Sequence, residues 1–220
     1  MANKTALVIG ATGLVGEETL KQLLNSAQYS KVIGLTRRPL DIKHAKLENP
    51  VVDFDKPGQY SSIKADDVYC AMGTTIGKAG SQAAFRRVDF EIPLLVAKLA
   101  LDNGAAKFIL VSSMGADAKS MVFYSRTKGE LEQALAQLKY KAVLIFRPSI
   151  LLGNRKEYRA GEAIGRFAAE KLSFLFAGPL AKYKGTPVDL LAKAMIKEAG
   201  ENVSGVRIIE NNEIFEIAEK

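Results

Sequence analysis

The sequence is poor in the side chains from which metal sites and hydrolytic triads are built. Its 220 residues include one cysteine, Cys70, one histidine, His44, and no tryptophan. A single cysteine excludes an internal disulfide and a cysteine-rich metal site, in agreement with a reducing compartment. A single histidine, in the polar segment DIKHAKLEN, leaves little for histidine-based metal binding or a serine–histidine–acid triad. We therefore predict no metal site and disfavour hydrolase and metalloenzyme chemistry.

The sequence also lacks long hydrophobic runs. No apolar run approaches the roughly 20 residues that span a bilayer, and the chain passes from MANK directly into TALVIG without a cleavable signal pattern. We therefore expect no membrane association and a cytoplasmic location. The net charge of +7 favours anionic ligands such as nucleotides. Without an aromatic-basic cluster, a nucleic-acid partner is not expected.

Short, continuously apolar segments alternate with helical patterns up to about residue 150. Such segments are typical of a parallel sheet covered by helices on both faces. We predict an α/β fold with a doubly wound, Rossmann-type parallel sheet, and a single NAD(P)-binding domain over 1–220. Glycines and prolines break the later pattern, and residues 151–220 are predicted to form a small, mostly helical lobe on the substrate side. The predicted strands are 5–10, 31–36, 49–54, 67–72, 107–113 and 142–148, and the predicted helices 14–26, 91–104 and 128–138.

The first predicted strand runs into the glycine-rich segment GATGLVG, residues 10–16. Its glycines recur at every third position, and a helix is predicted to follow directly. Such glycines allow a tight turn, close approach of the backbone to a pyrophosphate and close helix–strand packing. The N-terminus of the helix then offers backbone N–H groups to phosphate oxygens. The segment therefore predicts dinucleotide binding.

Two arginines follow the second predicted strand, where NAD-preferring enzymes usually carry an acid for the ribose 2′-hydroxyl. Arg37 and Arg38 leave no carboxylate there to repel a 2′-phosphate, and their guanidinium groups can bind one through charge-assisted hydrogen bonds. The position therefore favours NADP(H) over NAD. The third predicted strand ends at residues 53–54, beside the expected adenine, and the fourth at residues 71–73, beside the expected ribose and pyrophosphate.

The segment GTTIGKAG, residues 73–80, has some features of a P-loop. Its spacing does not match, because Met72 stands where the first glycine belongs. Ala79 also replaces the serine or threonine that should follow the lysine. We therefore do not predict a P-loop.

The chain contains two tyrosines with a lysine four residues later, Tyr60–Lys64 and Tyr124–Lys128. In a helix these side chains lie about one turn apart, and an ammonium near a phenol favours the phenolate, which makes tyrosine a usable acid/base. Spacing alone does not distinguish the two pairs. Tyr124, however, follows a strand that carries Ser112-Ser113 to the carboxyl edge, and it opens an amphipathic helix. We predict catalysis at this pair and interpret Tyr60 as covering part of the core edge.

This order of glycine loop, strand-end serine and Tyr-x-x-x-Lys resembles that of the short-chain dehydrogenase/reductases. With its extended-type glycine loop, the chain is similar to atypical members, in particular the Tat-interacting oxidoreductase group and its bacterial relatives. The resemblance implies a Rossmann-type fold, bound NADPH and hydride transfer with a carbonyl/alcohol substrate. It covers essentially the whole chain and rests on GATGLVG, TRR, VVDFDK, GTTIGKAG, RVDFEIPLLVAKLA, LVSSMGAD, YSRTKGELE and FRPSILLGNR.

The resemblance also implies roles for individual residues. Tyr124 exchanges a proton with the substrate oxygen, Lys128 binds the nicotinamide ribose, and Ser113 hydrogen-bonds the substrate oxygen, with Ser112 beside it. Arg147 matches an arginine near the substrate pocket of the family. The residues expected to bind the cofactor are Gly10, Thr12, Gly13, Leu14, Val15, Gly16, Arg37, Arg38, Asp53, Phe54, Ala71, Met72, Gly73, Thr74, Ser112, Tyr124, Lys128 and Arg147.

The chain departs from the family pattern at one site position, and several functions stay open. Val88-Asp89 stands where a Val-Asn pair is common, so the family's active-site asparagine lacks a sure counterpart. The leading hypothesis is an NADP(H)-dependent oxidoreductase acting on a small carbonyl or alcohol. The alternative is an NADPH-binding regulator with little or no turnover that contacts a partner protein. An isomerase or epimerase that recycles tightly held cofactor ranks third, and the family resemblance is also compatible with a homodimer.

Overall fold

A computed structural model describes residues 4–153 and 184–219 of the chain. Within this part, nine strands form two separate parallel sheets. The larger sheet has seven strands and forms the centre of the molecule. The strands are β1 Lys4–Ile9, β2 Tyr29–Leu35, β3 Leu47–Glu48, β4 Asp67–Cys70, β5 Lys107–Val111, β6 Ala142–Arg147, β7 Leu151–Leu152, β8 Thr186–Pro187 and β9 Gly205–Glu210.

The large sheet has the order β3-β2-β1-β4-β5-β6-β9, and all of its neighbouring strands run parallel. Strands β7 and β8 pair separately from it. Along the chain, strands are added first to one side of β1 and later to the other, beginning with β4. Ligands of open α/β sheets bind at such a switch point, outside the carboxyl ends of the strands.

Helices cover both faces of the large sheet. Helices α1, α6 and α7 pack on one face, whereas α4 and α5 cover the other. Between α3 and α4 the chain makes a π-helical turn, Arg87–Glu91, which continues one helix into the next. The helices are α1 Leu14–Asn25, α2 Ile76–Ala79, α3 Gln82–Arg86, α4 Ile92–Asp102, α5 Phe123–Ala136, α6 Val188–Gly200 and α7 Asn211–Glu219.

Two hydrophobic layers enclose the sheet because successive side chains of a strand point to opposite faces. On β1, Val8 packs toward α1 and α6, and Ile9 packs toward α4. On β4, Tyr69 packs on the same face as Val8, and Cys70 packs on the same face as Ile9. The central strands therefore need apolar residues at every position, which explains their continuous hydrophobicity. Cys70 is fully buried, and burial raises the pKa of its thiol to about 11.

The predicted doubly wound sheet is confirmed, with local differences. The strand predicted at 49–54 is shorter and earlier, at Leu47–Glu48, with one further bridge between Thr36 and Val51. Pro50 lies in the predicted segment and has no N–H to donate to a sheet ladder. Helix α5 begins at Phe123, five residues before the helical pattern at 128–138 and one before Tyr124, which was predicted to open the helix.

The second half of the predicted C-terminal lobe belongs to the main sheet in the structure. Helix α6 packs against α1, and β9 is the edge strand beside β6. Strand β9 was not predicted, because its apolar run is short and is interrupted by Arg207. Residues 154–183 of the predicted lobe lie outside the described residues.

Two further observations concern the residues that the structure describes. None of their helices is long and apolar enough to cross a membrane. Their histidine, cysteine and acidic side chains form no cluster that could hold a metal ion. His44 lies on the surface.

Candidate dinucleotide-binding and active site

A cavity of about 520 Å³ lies at the carboxyl ends of the central strands. It extends from the loop after β1, past the ends of β4 and β5, to the first turns of α5. The switch point of the sheet therefore carries the concave site that this topology predicts. Its lining residues are Thr12, Gly13, Leu14, Val15, Glu17, Arg38, Ala71, Met72, Gly73, Thr74, Lys78, Asp89, Val111, Ser112, Tyr124, Lys128 and Leu151.

The loop between β1 and α1 needs its glycines for steric reasons. Gly10 has a φ of +83°, and a Cβ there would lie 2.5 Å from the Ala71 carbonyl carbon. Gly16 packs so closely on the Gly10 carbonyl that a side chain would collide with it. Gly10 and Gly16 thus shape the loop and seat α1 against the sheet, in the roles that the GATGLVG spacing predicts.

The N-terminus of α1 opens into the cavity. Gly13 caps the helix, and its own N–H donates to the Gly10 carbonyl at 2.9 Å. Thr12, Leu14 and Val15 line the cavity beside it. The unpaired N–H groups and the positive end of the helix dipole in this position attract anions. The glycine-shaped cradle and the helix terminus therefore fit the pyrophosphate of a dinucleotide.

The two arginines after β2 have different positions. Arg38 lines the cavity, whereas the exposed Arg37 is not among the described lining residues. The turn that carries them is fixed, since the Thr36 hydroxyl donates to the Arg38 carbonyl at 2.7 Å. Asn49 donates its side-chain N–H to the same hydroxyl at 2.8 Å. One guanidinium group therefore faces the cavity at the end of β2.

The residues predicted near the adenine are turned away from this cavity. Phe54 is buried and packs edge-on against the Tyr60 ring, with centroids 5.7 Å apart. Asp53 pairs with Lys56 at 3.6 Å on the surface. Neither Asp53 nor Phe54 is among the described lining residues. Their contact with the cofactor stays a prediction.

Tyr124 and Lys128 lie one turn apart on α5, and both line the cavity. The Tyr124 ring packs against Phe85, which is fully buried, with centroids 5.6 Å apart. Lys128 is only 5% exposed. The helix therefore presents a phenol and an ammonium together, opposite the glycine loop.

Asp89 holds the buried ammonium. Its Oδ1 lies 2.8 Å from Lys128 Nζ, and its Oδ2 accepts the Thr74 N–H at 2.8 Å. Burial favours the neutral form of Lys128, but the nearby Asp89 carboxylate and Tyr124 outweigh it, so the pKa of Lys128 is raised. Asp89, which stands where the family commonly has an asparagine, is thus part of the cavity wall.

The two strand-end serines also differ in position. Ser112 lines the cavity, and its hydroxyl donates to Glu132 Oε1 at 2.5 Å. The Ser113 hydroxyl is buried and has no hydrogen-bond partner in the described structure. Among the described residues around the cavity, the structure brings Ser112 rather than Ser113 to Tyr124 and Lys128. The role of Ser113 stays a prediction.

Arg147 forms an ion network behind the cavity. It contacts Glu132 at 2.5 Å and Glu210 at 3.1 Å. Hydrogen bonding to Glu132 raises its pKa. Arg147 is not among the described lining residues, and through Glu132 it supports Ser112 rather than facing a ligand directly.

Several lining residues were not predicted. Lys78 lies in GTTIGKAG, in which Gly73 and Thr74, but not Lys78, were predicted to bind the cofactor. Asp89 was noted as a departure but received no role. Glu17, in the first turn of α1, and the apolar Val111 and Leu151 carried no chemical signal. The position of Val111 at the carboxyl end of a predicted parallel strand was the one available indication for it.

The sequence has relatives among characterised families. The model of the NAD dependent epimerase/dehydratase family matches residues 6–172. Protein HTATIP2 of Rattus norvegicus is 35% identical, with 99% of this chain and 90% of the relative covered. Protein FMP52, mitochondrial, of Candida albicans is 34% identical over 91% of this chain and 90% of the relative.

Solved structures confirm the fold. A UDP-N-acetylglucosamine 4-epimerase from Methanobrevibacter ruminantium, in complex with UDP-N-acetylmuramic acid, has a TM-score of 0.71 at 16% identity and covers 96% of this chain and 77% of its own. Human epimerase family protein SDR39U1 with NADPH has a TM-score of 0.63 at 17% identity, covering 93% and 73%. The predicted resemblance to short-chain dehydrogenase/reductases and the Tat-interacting group is confirmed. The chain belongs to the NAD dependent epimerase/dehydratase family.

Proposed function

We propose that the protein is an NADP(H)-dependent oxidoreductase that acts on a small carbonyl/alcohol substrate, with Tyr124 as acid/base. One observation carries this proposal. Tyr124 and Lys128 line the same cavity as the glycine loop at the start of α1. A dinucleotide anchored on that loop would have its reactive end and an acid/base group in one enclosed space.

The bound cofactor supplies or accepts the hydride. In the reducing direction, the Tyr124 hydroxyl donates its proton to the carbonyl oxygen of the substrate and becomes a phenolate. The Lys128 ammonium stabilises that phenolate until solvent returns a proton. In the oxidising direction, the phenolate accepts the proton of the alcohol. Ser112, already bonded to Glu132, closes this end of the cavity.

We propose NADP(H) as the preferred dinucleotide. Arg38 supports this preference, because it offers a guanidinium group to the cavity at the end of β2, and no carboxylate occurs in the TRR turn. Dinucleotides are bound by relatives in solved structures, with NAD+ in WbmF of Bordetella bronchiseptica and NADPH in human SDR39U1. The preference itself needs titration of both cofactors.

The direct test is isotope transfer from NADPH deuterated at the nicotinamide C4. The protein is incubated with a panel of small aldehydes and ketones, and products are analysed by mass spectrometry. We expect at least one carbonyl to yield an alcohol that contains one deuterium on the former carbonyl carbon. Alcohols with no deuterium, or a panel without any turnover while NADPH binds tightly, would contradict the oxidoreductase proposal.

A second candidate function is an NADPH-binding regulator with little turnover. The positions of the serines favour it. Ser112 has its hydroxyl committed to Glu132, and Ser113 is outside the described lining of the cavity. A partner protein whose affinity follows the NADP+/NADPH ratio, together with absent isotope transfer, would support this candidate. Equal partner affinity at all ratios would exclude it.

We also propose a cytoplasmic location. The single cysteine, Cys70, which is fully buried, supports it because it suits a reducing compartment. The Candida relative is named mitochondrial, so the location needs a direct measurement. Fractionation of cells that express the full chain should recover it with cytosolic markers, and recovery with an organelle fraction would contradict the proposal.

A further inference from the structure

The buried pair of Asp89 and Lys128 joins three separate segments of the cavity wall. Asp89 lies in the π-helical turn, Lys128 on α5, and Thr74 in the segment after β4. The side chain of Asp89 is 0% exposed and that of Lys128 is 6% exposed. Gly73 covers the pair, because a Cβ on it would lie 3.3 Å from Oδ1 and 3.4 Å from Nζ. The ammonium is thus enclosed by Asp89 and the backbone of the neighbouring turn.

A lysine in such a place would ordinarily lose its charge, since burial penalises an ammonium without a counter-ion. Burial is the largest influence on the pKa of Lys128 and lowers it. Asp89 opposes burial, with smaller contributions from Tyr124 and Cys70, and the net direction is upward. Among the residues that the structure describes, three other charged side chains line the same cavity, those of Arg38, Lys78 and Glu17. Of these groups, Asp89 is the carboxylate in direct contact with the ammonium.

We propose that Asp89 is a positioning residue that keeps Lys128 protonated and directed toward Tyr124. A neutral amide of the same shape could retain the Thr74 contact but could not compensate the buried charge. The aspartate therefore does more than replace the family's asparagine. The proposal rests on the proposed function in one respect only, the role that the Lys128 ammonium plays beside Tyr124 in catalysis.

The test compares the wild-type protein with Asp89→Asn by denaturant unfolding between pH 6 and pH 9. In the variant, Asp89 no longer offsets the burial of Lys128, so we expect the folded-state pKa of Lys128 to fall below its unfolded-state value. The unfolded state then binds one more proton than the folded state. Relative to wild type, the unfolding equilibrium constant of the variant should fall about tenfold for each unit of pH rise, where Lys128 is neutral in the folded state.

A matched control is Glu132→Gln, which breaks the other buried ion pair of the site. Its partner, Arg147, keeps its charge throughout this pH range. We therefore expect the effect of Glu132→Gln on unfolding to be the same at pH 6 and pH 9. This control separates the loss of a buried pair from the titration of the lysine.

The double variant Asp89→Asn/Lys128→Met protects the test against a single variant that does not fold. It removes both charges, so it should regain stability at pH 6 and lose the added pH dependence. An Asp89→Asn protein with an unchanged pH dependence would overturn the proposal. So would a double variant that also fails to fold, because the defect of Asp89→Asn would then not come from the unpaired ammonium of Lys128. None of these readouts needs turnover, so an inactive protein would overturn the proposed function and leave this inference standing.

Discussion

Two segments of the chain, Tyr60–Lys64 and Tyr124–Lys128, have the same sequence spacing and different surroundings. Tyr60 is 3% exposed and donates its hydroxyl to the Phe54 carbonyl at 3.0 Å. Lys64 is exposed, and the chain between the two residues is not helical. Tyr124 and Lys128 lie on one helix and line one cavity. A four-residue spacing therefore has chemical meaning only where a helix aligns the side chains and the sheet topology directs them to the ligand edge.

The largest difference between the two pairs should appear in turnover. Tyr124→Phe removes the proposed acid/base, and we expect the rate of carbonyl reduction to fall by about 10²–10⁴-fold, as for other general acids. Tyr60→Phe, the matched control, should leave the rate within about twofold because its hydroxyl serves the core. Steady-state NADPH oxidation measures both. Equal losses in the two variants would remove the catalytic distinction.

Cofactor affinity should also differ between variants of Lys128 and Lys64. Lys128→Met should weaken NADPH binding by about 10–100-fold, the range for a lost hydrogen bond to a charged group. It also leaves the Asp89 carboxylate buried without its counter-ion, so the free energy of unfolding should fall. Lys64→Met changes an exposed side chain and should alter neither quantity. Calorimetric titration and denaturant unfolding check both. Wild-type affinity in Lys128→Met would contradict the proposed role of this lysine.

The neighbouring arginines extend the comparison to the other end of the cavity. Arg38→Ala should weaken NADPH binding by about tenfold and leave NADH binding nearly unchanged, because only NADPH carries the 2′-phosphate. Arg37→Ala should have a smaller effect, since Arg37 is outside the described lining of the cavity. Parallel titrations with both cofactors test this. A larger effect at Arg37, or equal loss of NADH affinity in Arg38→Ala, would contradict it.

The smallest expected effect is a change in the stability of a Tyr60 variant at alkaline pH. Burial, opposed in part by Arg87, raises the pKa of Tyr60 in the folded protein. A raised folded-state pKa stabilises the protein below the unfolded-state value near 10 and loses that contribution as pH rises through the folded-state value. Tyr60→Phe should therefore lose less stability than wild type above about pH 10. Denaturant unfolding at pH 9 and pH 11 measures the loss of stability in both proteins. An equal loss in Tyr60→Phe and wild type would refute the prediction.

The sequence was sufficient to predict the parts of the site that depend on local chemistry. The glycine loop is local, because Gly10, Gly13 and Gly16 act within one turn of chain. Tyr124 and Lys128 were likewise predictable, since one helix aligns them. The continuous hydrophobicity of the central strands was enough to predict the doubly wound sheet.

The remaining parts depend on contacts between distant segments, which a single sequence does not specify. Asp89 meets Lys128 and Thr74 only after three segments converge. Ser112 and Ser113 lie beyond the end of β5, and Ser112 is held by Glu132, 20 residues away in sequence. Arg147 is directed away from the ligand by Glu132 and Glu210, 15 and 63 residues away in sequence.

A crystal structure of the protein grown with NADPH would test the central claim most directly. The account predicts the pyrophosphate on the N–H groups at the start of α1, the 2′-phosphate on Arg38, and the nicotinamide ribose on Lys128 beside Tyr124. A cofactor bound elsewhere would contradict it, as would a nicotinamide that points away from Tyr124 in a fully occupied site.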